Sequence, residues 1–274
     1  LFLYNTYFSI MASFINYKNS KIHFTSQGNG HAVVLLHGFL ENLTIWDDLA
    51  KELSTRYRVI CIDLLGHGKT DNLGYVHTMD EQAQMVKAVL NHLKLRKVVL
   101  IGHSMGGYIS MAFTKLFLQN VKGVCLLNST FLADDPTKRS DRKRAIALVK
   151  KNPKAIIELA IPDLFADENK ELFKSDMQHI LTEALKTSKQ GIIAALEGMI
   201  IREDLSALFE TDNFKKLVFI GKHDIAIKNK PLEERLTSLQ NVQVVRLSGG
   251  HMGFIENKTE VLENLKSFII RSFK

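Results

Sequence analysis

A serine between glycines, an aspartate and a histidine stand along this chain at positions where they could act together. Gly102-His103-Ser104-Met105-Gly106-Gly107 follows the apolar run Val98-Val99-Leu100-Ile101 and precedes the helical pattern Tyr108-Ile109-Ser110-Met111-Ala112-Phe113. A strand that passes into a helix through Gly-x-Ser-x-Gly holds its serine on a sharp turn, with Oγ above the sheet at the positive end of the helix. A serine hydroxyl is a weak nucleophile near neutral pH. It needs a general base within hydrogen-bond reach, and a carboxylate to orient that base. Gly221-Lys222-His223-Asp224 follows the run Leu217 to Ile220, and Gly249-Gly250-His251 follows Val242 to Leu247. Ser104, Asp224 and His251 are therefore the expected nucleophile, orienting acid and base, each just past a strand-like run. The other place for the acid, after the run ending at Leu127, holds Asn128 and Ser129, with Asp134 and Asp135 farther along. Attack on a carbonyl would build an oxyanion that needs two preorganised donors. The amide of Met105 is one. The amide of Phe39, in the turn His37-Gly38-Phe39 after Ala32 to Leu36, is the other.

Other chemistries find less support. Gly66-His67-Gly68-Lys69-Thr70 suggests a phosphate loop, but that motif needs a glycine where Asp63 stands. Neither H-E-x-x-H, paired C-x-x-C nor EF-hand spacing occurs, so no metal and no cofactor are expected. His37, His67 and His103 read as loop hydrogen-bonders.

The elements that must position these residues follow from the apolar pattern. Ala32 to Leu36, Tyr57 to Ile62, Lys97 to Ile101, Gly123 to Leu127, Leu217 to Ile220 and Val242 to Leu247 are short runs rich in Val, Ile and Leu, as in strands buried on both faces. Helical periodicity lies between them: Ile45, Leu49 and Leu53, then Met85, Val89, Leu90 and Leu93, and finally Val261, Leu262, Leu265, Phe268 and Ile269. This alternation predicts an α/β protein with a doubly wound, mostly parallel sheet. Phe14 to Tyr17 and Lys21 to Ser26 predict an antiparallel hairpin at one edge. The alternation stops between Phe131 and Asn213, where the pattern is helical. The expected division is an N-terminal extension over 1–13, an α/β core over 14–130 and 214–274, and an inserted helical cap over 131–213. An insertion there would lie over the strand ends, where open α/β sheets bind ligands.

Composition narrows the class. With 274 residues, 46% hydrophobic and only 4 prolines, the chain is too apolar for a disordered protein. It lacks the run of about 18 apolar residues that a membrane span needs. Cys61 and Cys125 lie inside apolar runs, cannot form a disulfide framework, and suggest the reduced cytoplasm. Met11 is read as the start and residues 1–10 as an upstream extension, since they lack the basic leader and cleavage site of a signal peptide. The net charge of +7 is concentrated in Lys138, Arg139, Arg142, Lys143, Arg144, Lys150, Lys151 and Lys154. Such a run is usually a solvated face. The sharper reading is attraction of anionic substrates. No nucleic-acid module accompanies it.

His37-Gly38-Phe39, the stretch Asp63-Leu64-Leu65-Gly66-His67-Gly68-Lys69-Thr70-Asp71, the serine turn, Gly221-x-x-Asp224 and Gly250-His251 together resemble the α/β-hydrolase fold superfamily, in its order and spacing from about residue 14 to 274. The resemblance implies a helical cap over the active site and a structural role for Arg202 and Asp204. Ser104 separates the chain from relatives with an aspartate nucleophile, the haloalkane dehalogenases and epoxide hydrolases. Tyr108 stands where the menaquinone-pathway lyase of the superfamily tends to have arginine. His-Gly-Phe departs from the His-Gly-Gly-Gly turn of some lipases and esterases. The expected function is a serine hydrolase that cleaves a small-to-medium carboxylic ester or related acyl substrate through an acyl-enzyme. The alternatives are a ligand-sensing signalling protein of this fold, or a menaquinone-pathway-like lyase or C–C bond hydrolase. Leu40, Phe131, Met252 and Phe254 are expected to line an apolar substrate pocket beside Phe39 and Met105. The expected partner is a small-molecule substrate, with no nucleic acid and no membrane. The oligomeric state is left open.

Overall fold

Runs that are apolar on both faces can be buried only in the middle of a sheet, and the computed structural model, which describes residues 11–227 and 229–274, pairs them so. The strands are β1 (Met11–Tyr17), β2 (Ser20–Gln27), β3 (Ala32–Leu36), β4 (Arg58–Ile62), β5 (Val98–His103), β6 (Val121–Leu127), β7 (Lys215–Gly221) and β8 (Val242–Leu247). They form one eight-stranded sheet in the order β1-β2-β4-β3-β5-β6-β7-β8. β1 and β2 are antiparallel to each other, and β2 is antiparallel to β4; every later pairing is parallel. Lys18 and Asn19 join β1 to β2 with φ of 47° and 66°. Two successive positive φ values give the turn whose twist matches that of the flanking strands.

The hairpin is longer than the sequence suggested. Residues 11–13, expected to belong to an N-terminal extension, form the first half of β1, with Met11 opposite Ser26 and Ser13 opposite Phe24. Three residues with no apolar alternation of their own hide a strand whose pairing is decided by β2. The expected extension over residues 1–10 lies outside the described residues.

The helices of the core are α1 (Asp47–Leu53) and α2 (Met79–His92), which flank β4, and α3 (Met105–Phe117), which follows β5. Between β6 and β7 come α4 (Pro136–Lys151), α5 (Pro153–Ala160), α6 (Lys174–Ala184), α7 (Lys189–Ile200) and α8 (Ser206–Phe209), with no strand among the described residues of this stretch. The chain then closes with α9 (Asn229–Leu236), α10 (Gly253–Glu256) and α11 (Lys258–Phe273). No described helix is long and apolar enough to cross a membrane.

β3 pairs with β4 on one side and β5 on the other, so the chain reverses its direction of travel across the sheet at β3. That reversal opens a crevice beyond the carboxyl ends of the two strands. Both strands are buried along their whole length, which makes the crevice floor rigid. From β5 the chain enters α3 through Ser104, which has φ 48° and ψ −115°. A non-glycine residue rarely adopts such a φ, and it persists only where the surroundings enforce it. Here the enforcement is the close passage of α3 over β3. A side chain on Gly106 would begin 2.1 Å from the carbonyl oxygen of Leu36. Gly106→Ala should therefore destabilise the protein by about 3 kcal/mol or more, as measured by urea denaturation. An unchanged midpoint would contradict this account of the turn.

Candidate active site

Each loop of the crevice is held by its own hydrogen bonds before any chemistry begins. Beyond β3, the His37 ring links two backbones: Nδ1–H donates to the Gly38 carbonyl at 2.7 Å, and Nε2 accepts from the Leu64 N–H at 2.9 Å. One nitrogen donating and the other accepting makes this a neutral ring. Burial likewise pushes its pKa below the ordinary histidine value. Beyond β5, the Ser104 N–H donates to Leu127 at 3.1 Å, and the Ser129 hydroxyl donates to the Ser104 carbonyl at 2.7 Å. The amides of Phe39 and Met105 have no hydrogen-bond partner among the described residues.

Beyond β7, the Asp224 carboxylate accepts from the N–H groups of Ala226 (2.9 Å) and Ile227 (3.0 Å) and from the Asn128 side chain (3.1 Å). It also accepts from His251 Nδ1, at 2.9 and 3.0 Å to its two oxygens. Burial alone would raise the Asp224 pKa. His251 and these donors outweigh burial and hold the carboxyl below the usual carboxylate range. With Nδ1 as the donor, the neutral His251 ring keeps its lone pair on Nε2. Asn128 also donates to the Gly250 carbonyl at 3.0 Å, so the residue that occupies the rival acid position braces the loops of both Asp224 and His251. Ser104 and His251 line one cavity of about 110 Å³, together with Phe39, Glu41, Tyr108, Leu164 and Met199 among others.

A family profile described as alpha/beta hydrolase fold matches residues 31–258. The chain belongs to that family. A solved thermophilic esterase from Thermogutta terrifontis, with malate bound, matches with a TM-score of 0.87 and 27% identity over 97% of this chain and 100% of its own. A 2-hydroxy-6-oxononadienedioate/2-hydroxy-6-oxononatrienedioate hydrolase of Escherichia coli is 35% identical over 116 residues, 40% of each chain. An uncharacterised protein of Mycobacterium tuberculosis is 33% identical over 112 residues, 41% of this chain and 33% of its own length. The matches thus span well under half of these two curated relatives.

Within this α/β hydrolase the helical insert supplies a wall of the cavity, through Lys138, Arg142, Leu164 and Met199. It is also bonded to the histidine loop, since the His251 N–H donates to the Leu164 carbonyl at 2.8 Å. Gly250 permits this approach: a Cβ there would lie 2.7 Å from the Ala166 nitrogen. Arg202 and Asp204 tie the two ends of the insert together, and the Arg202 guanidinium also lies over the Tyr108 ring of the core, 4.0 Å from its centroid. Arg202 pairs with Asp134 at 2.6 Å, and Asp204 accepts from the Ser206 and Ala133 amides.

The four residues expected to form an apolar pocket lie elsewhere. Leu40 has φ 63° and is 3% exposed, turned into the core. Met252 is fully buried. Phe254 packs on Trp46 and His103, with ring centroids 4.9 and 5.0 Å apart. Phe131 stacks on Phe209 at 4.3 Å and lines a neighbouring cavity rather than the one at Ser104.

Two residues that sequence reasoning missed as partners lie beneath the site. Glu41 and His103 are both buried. His103 Nδ1 contacts Glu41 Oε2 at 3.0 Å, and its Nε2 contacts the His251 carbonyl oxygen at 3.0 Å. With Glu41 ionised both partners are acceptors, so both ring nitrogens donate and the pair is an imidazolium with a carboxylate. Glu41 Oε2 also accepts from the Gly38 N–H at 2.5 Å. Burial opposes both charges, yet their mutual attraction prevails: Glu41 is held below its ordinary value and His103 above its own. No motif signals such a pair; a histidine directly before the serine was the one available hint.

The two shifts have opposite consequences for stability. The Glu41 contribution is complete above its ordinary value of 4.5 and is lost as the pH falls through its lowered folded value. The His103 contribution is complete below its ordinary value of 6.5 and is lost as the pH rises through its raised folded value. Glu41→Gln should therefore cost about 3 kcal/mol near pH 6, as for breaking a buried ion pair, and less in alkali. Thermal denaturation of both proteins at about pH 6 and about pH 9 checks this. A Tm deficit that widens with rising pH would contradict the charged pair.

Proposed function

We propose that this α/β hydrolase is a serine hydrolase that cleaves small-to-medium carboxylic esters or related acyl substrates through an acyl-enzyme. The observation that carries the reading is that Ser104 and His251 wall one small cavity while Asp224 fixes the His251 tautomer. In this mechanism Ser104 Oγ attacks the carbonyl carbon as its proton passes to His251 Nε2. The carbonyl oxygen becomes an oxyanion that accepts from the Phe39 and Met105 amides. Collapse expels the alcohol, which takes the proton from His251. Water then repeats the sequence at the acyl carbon and releases the acid. The strained φ of Ser104 suits a group held out for attack, and the cavity of about 110 Å³ suits a short acyl chain.

The relatives support hydrolysis as the class of reaction, since one is named an esterase and another a dioate hydrolase. Buried Asp224 engaged by four donor groups supports catalysis over ligand sensing, because binding alone needs no oriented base.

A series of p-nitrophenyl esters of rising acyl length tests the proposal. Turnover should favour short chains. Ser104→Ala should lower kcat/KM by about 10⁴-fold or more, and Asp224→Asn by about 10⁴-fold. Tight binding of small esters and lactones without turnover would favour the sensor instead.

A further inference from the structure

The inward face of α4 is basic at one end. Lys138, Arg142, Ala145, Ile146 and Val149 recur at helical spacing and are its less exposed residues, while Arg139, Lys143, Arg144, Lys150 and Lys151 are exposed. Ile146 and Val149 are buried and anchor the helix. Lys138 and Arg142 instead line the cavity that holds Ser104 and His251.

The carboxylates around them are already engaged. Asp134 pairs with Arg142 Nε at 2.6 Å and with Arg202 Nη1 at 2.6 Å. Glu41 is held by His103 and Gly38, Asp224 by His251 and its amide donors, and Asp135 Oδ1 accepts from the Lys138 amide at 2.8 Å. Lys138 Nζ has only a carbonyl, that of Ala226 at 2.9 Å, and makes no ion pair with a described residue. Burial first, then the neighbouring Arg142, pushes the Lys138 pKa down. Arg142 and Arg202 thus share Asp134, Lys138 pairs with no described carboxylate, and Lys138 and Arg142 both face the cavity. Tyr108, Lys138 and Ala226 also border a second cavity of about 440 Å³, so Lys138 stands at the junction of the two.

We propose that the pocket takes an acyl substrate with a second, non-reacting carboxylate, which Lys138 Nζ and the Arg142 guanidinium hold while the ester carbonyl lies at Ser104. This deepens the serine-hydrolase reading and rests on it. The reaction is hydrolysis of a half-ester: water supplies the oxygen of the new carboxylate and the proton of the released alcohol.

The test compares monomethyl esters of butanedioic, pentanedioic and hexanedioic acid with methyl esters in which a methyl group replaces the far carboxylate. Calorimetric binding to Ser104→Ala reads the site without turnover, and kcat/KM of the unaltered enzyme reads the reaction. At the best chain length the half-ester should bind about tenfold more tightly than its neutral analogue. Adding Lys138→Met should remove most of that preference, and adding Lys138→Glu should reverse it. The Lys138 side chain makes a single hydrogen bond, to the Ala226 carbonyl, so both variants should fold. Equal binding at every length, or a preference that both variants retain, overturns the carboxylate site. A binding preference that follows Lys138, with no turnover by the unaltered enzyme, supports the anion site and overturns the hydrolase reading. Turnover of both ester classes with no difference in binding overturns the carboxylate site and leaves the hydrolase reading standing.

Discussion

The buried contact between Glu41 and His103 is the constraint on which the site depends. Three loops from distant parts of the chain must meet above the sheet, and this pair touches all of them. Glu41 takes the Gly38 amide of the turn beyond β3, His103 belongs to the turn that carries Ser104, and the second nitrogen of His103 holds the carbonyl of His251. With Glu41 held below its ordinary value and His103 above its own, the ring is charged and donates to both partners, and a buried charge is tolerated only beside its opposite. Glu41 meets that demand, and both of its hydrogen bonds fall on a single oxygen, Oε2. Asp224 and Asn128 repeat the device on the other side of His251. The histidine loop is thus held from both flanks, through His103 backed by Glu41 on one side and by Asp224 and Asn128 on the other.

What the sequence disclosed follows from how local each feature is. The serine turn was legible because its demands are met within a few residues: a strand before, a helix after, and glycines where Leu36 leaves no space at Gly106. Asp224 and His251 were legible because each lies one short loop beyond an apolar run, where the sheet brings their ends together. The Glu41–His103 pair spans 62 positions, and a lone glutamate in a loop looks solvated until its partner is placed. The four expected pocket residues failed for a related reason. Sequence neighbours of site residues need not point into the site. Leu40 follows Phe39, but its positive φ carries it into the core, and Met252 next to His251 is fully buried. The reverse error hid Lys138 and Arg142, two members of a charge run that turn inward while most of their neighbours face solvent.

The inserted helices wall the cavity at Ser104 and bond to the loops around it. A lid that only gated access would touch the core through its rim. Here the Leu164 carbonyl accepts the His251 amide, Glu256 accepts from Ala166 and Asn169, and Lys138 reaches the Ala226 carbonyl two residues beyond Asp224. The insert therefore bonds to the loops of His251 and of Asp224, as well as lining the cavity. Lifting it would strip a hydrogen bond from each of these loops and expose the Asp134 cluster to water. Hydrogen bonds of this kind contribute about 1 kcal/mol each, so a concerted opening would cost several. Substrate entry by small side-chain movements, through the larger cavity that shares Tyr108, Lys138 and Ala226, avoids that cost. On that route, under the proposed reading, an arriving anion would meet Lys138 before its carbonyl reached Ser104, so the cation proposed to hold one end of the substrate would also orient the other.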